Sequence, residues 1–434
     1  MKSRAVLALL AATTLAACAS SPTPAPIYRP RTPTQPSIHP PVTQPAAPTT
    51  PPAVTTPVQP AVPDFYISPS RFSDIPGWAQ SDFAPALAAF KRQCAAWRAR
   101  TPDAPLTGGK YGGTVAAWLP ACDQAQTVLP GQEHWFFENW FDPMYVAGSG
   151  DQRITAYFEP VIEARRTWEP PYTEPLLSRP SDMLTIDLGA FAEAYDSDVL
   201  RGAPRQLTGK MIGDKVEPYP KRAAITPYQG QAFAYAHPAD LYNLQVQGSG
   251  RLHFPDGTEA RAQFSAQNGY KWNSALGALR NSGQLASPTW GNFRAWLDAN
   301  PQGQKAALNA DPSYVFFQEE AVTDPTAGPR GAAGASLTPM GSIAVDPAFH
   351  PYGAVVFIDG YYDGAAFDHL FVAQDTGGAI RRGPMRGDVF VGAGPQAGAW
   401  AEKMNAPARW WTLVPKTLNL AAPQISSVAT IPPG

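Results

Sequence analysis

Two carboxylates, Asp375 and Asp388, bound a glycine-rich segment near the C-terminus of the 434-residue chain. An apolar run ends at Asp375 and the next begins at Asp388, so each acid is predicted to stand at the end of a strand. The glycines between them allow the backbone to approach closely. Because neighbouring carboxylates disfavour each other's ionisation, one of them can keep a raised pKa. A raised carboxyl pKa is what general-acid chemistry at neutral pH requires.

Other kinds of catalytic site fit the sequence less well. Asp375-Thr-Gly matches the active turn of aspartic proteases, but those sites need two such turns and this chain has one. The segment Gln247-Gly-Ser-Gly250 lacks the flanking pattern of a serine nucleophile. The six histidines are scattered, and no pair of histidines or cysteines has metal-ligand spacing. We therefore expect no metal and no cofactor.

The chain before Gly150 has apolar residues at helical spacing. Cys94 lies within the predicted helix Asp82–Arg100. Cys122 lies just after the predicted helix Thr114–Leu119, which is expected to end near Pro120. A disulfide would join these two elements, and two buried thiols are the alternative. The predicted helices are Asp82–Arg100, Thr114–Leu119 and Gln132–Phe141.

After Gly150 the sequence changes to short β-like runs separated by glycine and proline. Frequent short strands with turn signals favour a barrel or a sandwich over a βαβ sheet. Two later helices are predicted at Ser274–Arg280 and Phe293–Asn300. The predicted strands include Arg153–Phe158, Ala232–Ala236, Tyr242–Val246, Arg251–Phe254, Ser342–Val345, Ala354–Ile358, His369–Ala373, Val389–Val391 and Trp410–Val414.

Residues 1–17 have the features of an export signal. Lys2 and Arg4 precede the apolar run Ala5–Leu10, which is too short to span a membrane. The segment Leu15-Ala-Ala-Cys18 resembles the lipobox of bacterial lipoproteins, in which the cysteine carries the lipid. Because Ala19 is not aspartate, the resemblance implies a lipid-anchored protein on the periplasmic face of the outer membrane.

Residues 18–63 are predicted to form a disordered tether. The part from Pro22 to Pro63 has fifteen prolines, no glycine and no acid, so it favours extended polyproline conformations and cannot bury a core. At ~3.1 Å per residue it reaches on the order of 100 Å. A tail with no required length is the alternative.

Charge and composition limit the choice of partners. The formal net charge is −2 and no basic run follows the signal, which argues against a nucleic-acid partner. The sequence does not indicate an oligomeric state, and a monomer is the default expectation.

Several motifs stand in the order of one known family. Four in the C-terminal part resemble the three-aspartate (3D) domain: Ser342-Ile-Ala-Val-Asp346-Pro, His350-Pro-Tyr-Gly353, Asp375-Thr-Gly-Gly-Ala-Ile and Gly387-Asp388-Val-Phe-Val-Gly392. Three upstream motifs are similar to the membrane-bound lytic murein transglycosylase A (MltA) family: Thr155-Ala-Tyr-Phe-Glu-Pro160, Leu244-Gln-Val-Gln-Gly-Ser-Gly250 and Asn268-Gly269. The resemblance covers roughly Phe83 to Val414.

The resemblance implies a mainly β fold with some helices and two domains. A double-psi β-barrel domain, together with the N-terminal helices, would comprise residues 64–153 and 317–434. A second β-barrel, residues 154–316, would be inserted between them. A groove between the two barrels would hold a glycan strand.

The resemblance also implies a peptidoglycan lytic exotransglycosylase without a cofactor. Such an enzyme cuts the β-1,4 bond between N-acetylmuramic acid and N-acetylglucosamine. The C6 hydroxyl of the sugar attacks in place of water and leaves a 1,6-anhydromuramyl end. The residues themselves leave endo and exo attack open, and also leave open partners among the proteins of cell-wall synthesis and division. A non-catalytic peptidoglycan-binding lipoprotein is the main alternative, ahead of an aspartic protease.

The family pattern implies a role for each matched residue. Asp388 would be the general acid and base, and Asp375 a supporting residue that helps to raise its pKa. Asp346 would fix a loop further out. For these acids the alternatives are capping and turn roles. The residues expected to bind glycan are Tyr157, Gln245, Gln247, Gly248, Ser249 and Trp272.

Structural alternatives exist for the expected glycan-binding residues as well. A glycine-bearing bulge in a strand would also explain Gln247-Gly-Ser-Gly250. A core role would explain the aromatic rings of Tyr157 and Trp272.

Overall fold

The computed structural model describes residues 65–106, 111–201, 206–226, 231–380 and 383–418. The predicted export signal, Cys18 and the proline-rich tether lie outside the described residues. Within the described part, the helices are all too short or too polar to cross a membrane.

The described residues contain strands β1 (Phe65–Pro69), β2 (Phe141–Gly148), β3 (Arg153–Glu159), β4 (Val161–Arg165), β5 (Glu174–Leu177), β6 (Met183–Asp187), β7 (Gln206–Ile212), β8 (Lys215–Pro218), β9 (Ala232–Ala236), β10 (Gly250–His253), β11 (Glu259–Gln267), β12 (Val315–Ala321), β13 (Ser342–Val345), β14 (Val355–Tyr362), β15 (Ala365–Asp375), β16 (Gly387–Ala393) and β17 (Asn405–Pro415).

The helices are α1 (Ala84–Arg98), α2 (Val115–Ala125), α3 (Glu133–Trp140), α4 (Leu188–Ala194), α5 (Asp198–Arg201), α6 (Pro238–Gln247), α7 (Ala275–Asn281), α8 (Trp290–Ala299), α9 (Gln304–Asn309) and α10 (Gly394–Ala401). Short 3-10 turns occur at Phe72–Asp74, Trp78–Gln80 and Arg222–Ala224.

Six strands close into a first barrel, in the order β17, β14, β15, β13, β16, β3 and back to β17. Strand β3 closes the ring because it pairs with β16 in parallel and with β17 antiparallel. Strands β2 and β1 extend the sheet from β17. The barrel therefore takes strands from both ends of the described chain, which confirms the fold class expected for the barrel domain.

Side-chain alternation gives this barrel an inner and an outer face. The inner face holds Ile154, Ile343, Val389 and Trp410 in one buried cluster. The outer face of β14, β15 and β17 packs against α1, α2 and α3 in a second cluster. Because each large apolar side chain contributes about 1.5–3 kcal/mol when fully buried, the two clusters fix the strands on both sides.

A disulfide between Cys94 and Cys122 joins α1 to α2, and both cysteines are fully buried. Helix α2 continues to Ala125 with Pro120 inside it, so the prediction that it ends near Pro120 was wrong. Proline removes one helical hydrogen bond. Burial of Ala121, Cys122 and Ala125 in the core holds the second half of the helix in place.

A second barrel is built from β12, β11, β10, β4, β9 and β5, in that order. A bridge between Ser178 and Phe317 connects the end of β5 to β12 and closes the ring. Its core contains Leu176, Ala234 and Leu252. Strands β6, β7 and β8 form a separate three-stranded sheet.

Strand pairing favours domain boundaries that differ from the expected ones by a few residues. Strand β3 belongs to the first barrel up to Glu159, and β4 begins in the second barrel at Val161. Strand β12 stays paired with β11 as far as Ala321. The expected boundaries at residues 153/154 and 316/317 therefore fall within β3 and β12, and we propose that the chain changes barrel at the ends of these strands.

The predicted strand Tyr242–Val246 is wrong, because this segment lies within helix α6. The side chain of His237 caps the start of the helix, and Gly248, in the left-handed region at φ 88°, ends it. Leu241 and Leu244 face the core at helical spacing. The apolar run by itself favours a strand, but the residues at its two ends are helix signals.

Candidate active site

The register of four strands places Asp375, Asp388 and Thr155 in one row across the first barrel. Ala344 on β13 pairs with Asp375 on β15 and with Asp388 on β16. Asp388 pairs in turn with Thr155 on β3. Because Val389 points into the barrel core, alternation puts this row on the outer face. Two strand spacings separate the acids, or about 10 Å between their Cα atoms.

A bulge in β15 brings Asp375 into the row. Ile343 pairs with Ala373, whereas Ala344 pairs with Asp375, so Gln374 is the extra residue. The fully buried Gln374 amide donates to the Ala89 carbonyl at 3.1 Å, away from the row. The α1 backbone thus helps to hold the irregularity that places the acid.

The Asp388 carboxyl combines burial with one strong hydrogen bond. Thr155 Oγ1 donates to Asp388 Oδ1 at 2.6 Å, and Oδ2 has no partner among the described residues. Burial raises the pKa of Asp388 to about 6, while the Thr155 hydrogen bond and the charge of Arg386 lower it. The charge of Asp375 adds only the smallest contribution. Desolvation, rather than the expected like charge, is therefore the main cause of the raised pKa.

Arg386 orients the Thr155 hydroxyl. Its Nη2 donates to Thr155 Oγ1 at 2.8 Å, and its Nη1 donates to the Arg153 carbonyl at 3.1 Å. Its Nε lies 3.5 Å from Asp151 Oδ2. Because Thr155 Oγ1 accepts from the guanidinium, its own hydrogen is directed to Asp388. The three side chains form one hydrogen-bond chain that ends at the carboxyl.

Asp375 has both of its oxygens engaged. Tyr157 donates its hydroxyl to Oδ2 at 2.9 Å, and the Ala332 amide donates to Oδ1 at 3.0 Å. Burial raises the pKa of Asp375, and these hydrogen bonds oppose the rise. Burial also raises the pKa of Tyr157 well above its usual value, so the phenol stays a donor. The Tyr157 ring packs against Phe390, with centroids 5.4 Å apart.

Asp346 lies in a turn that follows β13. Its Oδ1 accepts a hydrogen bond from the Ala348 amide at 3.1 Å. Its carbonyl accepts from the amides of Phe349 and His350. Asp346 thus bonds the backbone of the turn. It lies one residue beyond β13, the strand that carries Ala344.

His350 holds the chain segment that precedes Arg386. Burial lowers the pKa of His350 to about 4, so the ring is neutral at pH 7. The two ring nitrogens lie 2.6 Å from the Tyr111 hydroxyl and 2.6 Å from the Pro384 carbonyl. A neutral ring satisfies both when Nε2 donates to Pro384 and Nδ1 accepts from Tyr111. The ring also stacks on Trp410.

Two of the expected glycan-binding residues are engaged inside the second barrel. Gln245 is buried, and its Oε1 accepts from Arg222 Nη1 at 2.6 Å. Ser249 is buried, and its Oγ accepts from the Phe264 amide at 3.0 Å. These polar atoms stabilise the barrel, so the structure does not bring them to the acids.

Gln247 is the member of this group that reaches the first barrel. Its Oε1 accepts from the Phe158 amide on β3 at 3.3 Å. Gly248 ends helix α6, so the alternative of a bulge in a strand is wrong for this segment. Trp272 is half-exposed between β11 and α7, and no hydrogen bond or ring contact between described residues links it to the acids.

Thr155 and Arg386 are site residues that sequence reasoning missed. Both stand inside or beside quoted motifs, since Thr155 begins one of them and Arg386 precedes Gly387-Asp388. Their spacing of more than two hundred residues gave no sign of contact. The parallel pairing of β3 with β16 is what brings them together.

Comparisons with known proteins agree with this geometry. The family model of the MltA specific insert domain matches residues 153–318, and that of the 3D domain matches residues 341–414. The membrane-bound lytic murein transglycosylase A of Vibrio cholerae is 28% identical over 282 residues, which cover 61% of this chain and 67% of the relative.

Two solved structures share the fold along most of their length. MltA from Neisseria gonorrhoeae, in a monoclinic crystal form, is 26% identical with a TM-score of 0.68, covering 82% of this chain and 94% of that one. The membrane-bound lytic murein transglycosylase of Agrobacterium tumefaciens is 30% identical with a TM-score of 0.67, covering 80% and 97%. The chain belongs to the MltA family. Relatives in the MltA family are named lytic murein transglycosylases, which are lyases of peptidoglycan, and this chain is an enzyme of that class.

Replacement of Asp388 by asparagine should stabilise the protein at high pH. The pKa of the Asp388 carboxyl is about 6 in the folded state and near 4 in the unfolded state. Below pH 4 the carboxyl is protonated in both states and its ionisation does not affect stability. As the pH rises from 4 through 6 the buried carboxyl must ionise, and this lowers the free energy of unfolding. Asp388→Asn should therefore gain at most about 3 kcal/mol of unfolding free energy at pH 8. The gain should vanish at pH 4. Urea unfolding of both proteins at both pH values measures this gain. Equal free energies of unfolding for wild type and Asp388→Asn at pH 8 would contradict the burial assigned to the Asp388 carboxyl.

Proposed function

We propose that the chain cleaves the β-1,4 bond between N-acetylmuramic acid and N-acetylglucosamine, with Asp388 as the single acid and base. The observation that carries this is the inequality of the two acids. Burial raises the pKa of both acids, but Asp388 Oδ2 has no partner among the described residues, whereas both oxygens of Asp375 accept hydrogen bonds. Ordinary glycosidases need a second carboxylate as nucleophile or base. In the proposed reaction the C6 hydroxyl of the muramyl sugar is the nucleophile, so one carboxyl is sufficient.

The proposed reaction conserves the proton on the enzyme. Protonated Asp388 donates its proton to the glycosidic oxygen as the bond to C1 of the muramyl sugar breaks. The resulting carboxylate then takes the proton of the C6 hydroxyl while O6 bonds to C1. The products are a free N-acetylglucosamine hydroxyl and a 1,6-anhydromuramyl end, and Asp388 is again protonated.

The surrounding residues support the two charge states of Asp388. Thr155 and Arg386 stabilise the carboxylate that forms after the first transfer, and burial favours the neutral acid before it. Asp375 positions Tyr157 and the backbone at Ala332 rather than reacting.

Digestion of purified sacculi tests the proposed reaction. We expect wild-type protein to release 1,6-anhydromuropeptides, identified by mass spectrometry, and Asp388→Asn to lose activity about a thousandfold while remaining folded. Reducing ends would instead indicate a hydrolase, and glycan that is bound without being cut would indicate a binding protein. The Asp346→Asn variant is a matched control, because that carboxylate bonds turn backbone outside the row.

The pH dependence of kcat/KM tests the roles of Asp388 and Thr155. Because the acid must begin protonated, kcat/KM should fall about tenfold per pH unit above about pH 6. Thr155→Val removes a hydrogen bond that favours the carboxylate, so the fall should begin at higher pH. Thr155→Ser keeps the hydroxyl and should restore the wild-type profile. An unchanged profile in Thr155→Val would contradict the role given to this residue.

We also propose lipidation at Cys18, with the proline-rich segment tethering the enzyme to the periplasmic face of the outer membrane. The relatives' names describe them as membrane-bound, and the sequence Leu15-Ala-Ala-Cys18 supplies the attachment signal. Radiolabelled palmitate should enter the wild-type protein and not Cys18→Ala. Equal labelling of the two proteins would contradict the anchor.

A further inference from the structure

A cavity of about 370 Å³ lies where the two barrels meet. Its lining comes from the end of β3 at Glu159, from Arg251 on β10, and from Phe390 and Gly392 on β16. Thr326, in the segment that connects the second barrel back to the first, also lines the cavity. Phe390 follows Asp388 by two residues on the same face of β16, or about 7 Å along the strand. The cavity therefore begins about one sugar width from the acid.

The charged group at this cavity consists of Arg251 and Glu159 on its wall and Arg261, which contacts Glu159 without lining the cavity, so it carries more positive than negative charge. Glu159 is fully buried, and its two oxygens accept from Arg251 Nε at 3.0 Å and from Arg261 Nε at 2.6 Å. One carboxylate thus serves two guanidinium groups. The remaining excess is one positive charge, held where the Arg251 side chain is 12% exposed. Buried charges are normally paired, so an anion is missing from this group.

The described residues around the cavity leave room for that anion. Arg251 Nη2 donates to the Pro325 carbonyl at 2.7 Å, whereas its Nη1 has no partner within the described part of the chain. The nearby carboxylate of Asp324 already accepts from Thr326 and pairs with Arg92. A bound ligand is then the source of a carboxylate for Nη1.

On the proposed function, we infer that this cavity binds a carboxylate of the stem peptide attached to the muramyl sugar. The sugar chain of peptidoglycan is uncharged apart from its peptide substituents. The peptide starts at the lactyl group of the sugar beside Asp388, and its D-glutamyl residue carries the first free carboxylate within reach. Arg251 is accordingly a specificity residue that distinguishes peptides with a free D-glutamyl α-carboxylate from peptides in which that group is an amide.

Calorimetry with two matched ligands tests the inference without any cleavage. N-acetylmuramyl-L-alanyl-γ-D-glutamyl-L-lysine has the free D-glutamyl α-carboxylate, and its D-isoglutaminyl form carries an amide there, while the γ-carboxyl is blocked by the peptide bond to lysine in both. The wild-type full-length protein should bind the acid form about tenfold more tightly. Arg251→Gln should bind both forms equally, and Arg165→Gln on the neighbouring strand β4, paired with Glu169 outside the cavity, should keep the preference. Equal binding of the two forms by wild-type protein would overturn the inference.

Kinetics on two glycan substrates separates this inference from the proposed function. Glycan strands whose peptides carry D-glutamate and strands whose peptides carry D-isoglutamine at that position are compared for release of anhydro ends. Arg251→Gln should raise KM about tenfold on the D-glutamate strands and leave KM on the D-isoglutamine strands unchanged. An equal loss on both substrates would show a purely structural role for the Arg251–Glu159 pair and overturn the inference. Reducing ends in place of anhydro ends would overturn the proposed reaction, while the ligand comparison would still decide the peptide site.

Discussion

The site depends on the strand register around Ala344. This small buried residue lies between β15 and β16, and it sets Asp375 on one side and Asp388 on the other. A slip of one residue in either pairing would turn an acid from the outer face into the barrel core. The inner cluster around Ile343 and Val389 resists such a slip, because it would expose large apolar side chains. Packing of the core therefore fixes the positions of Asp375 and Asp388 on the outer face of the barrel.

Hydrogen bonding, rather than burial, distinguishes the roles of the two acids. Asp388 is desolvated and keeps one oxygen without a partner among the described residues, so it can carry and release a proton. Asp375 is also desolvated, but Tyr157 and the Ala332 amide hold both of its oxygens. The chain from Arg386 through Thr155 offsets part of the desolvation cost. The Asp388 pKa of about 6 results from these opposing effects.

Sequence reasoning succeeded where local pattern and three-dimensional structure agree. Alternating apolar runs located most strands, and the motif order indicated two barrels with one inserted into the other. It failed at Tyr242–Val246, where the capping residues at the ends outweigh the β-like run, and at Pro120, where tertiary packing outweighs a helix breaker. Thr155 and Arg386 escaped notice because only the pairing of β3 with β16 makes them neighbours of Asp388. The sequence also led us to expect a larger effect of the Asp375 charge on the pKa of Asp388 than the structure shows. Burial is the main cause of the raised pKa, and it arises only when the barrel is assembled.

The most direct test of the central claim is a carbon-13 NMR titration of the Asp388 carboxyl in wild-type protein and in Asp375→Asn. Assignment of the resonance by its absence from Asp388→Asn would make the measurement specific. We expect a pKa near 6 in the wild type and only a small decrease in Asp375→Asn, because desolvation is the main cause of the raised pKa. A wild-type pKa near 4, or a fall to 4 when Asp375 is neutralised, would contradict it.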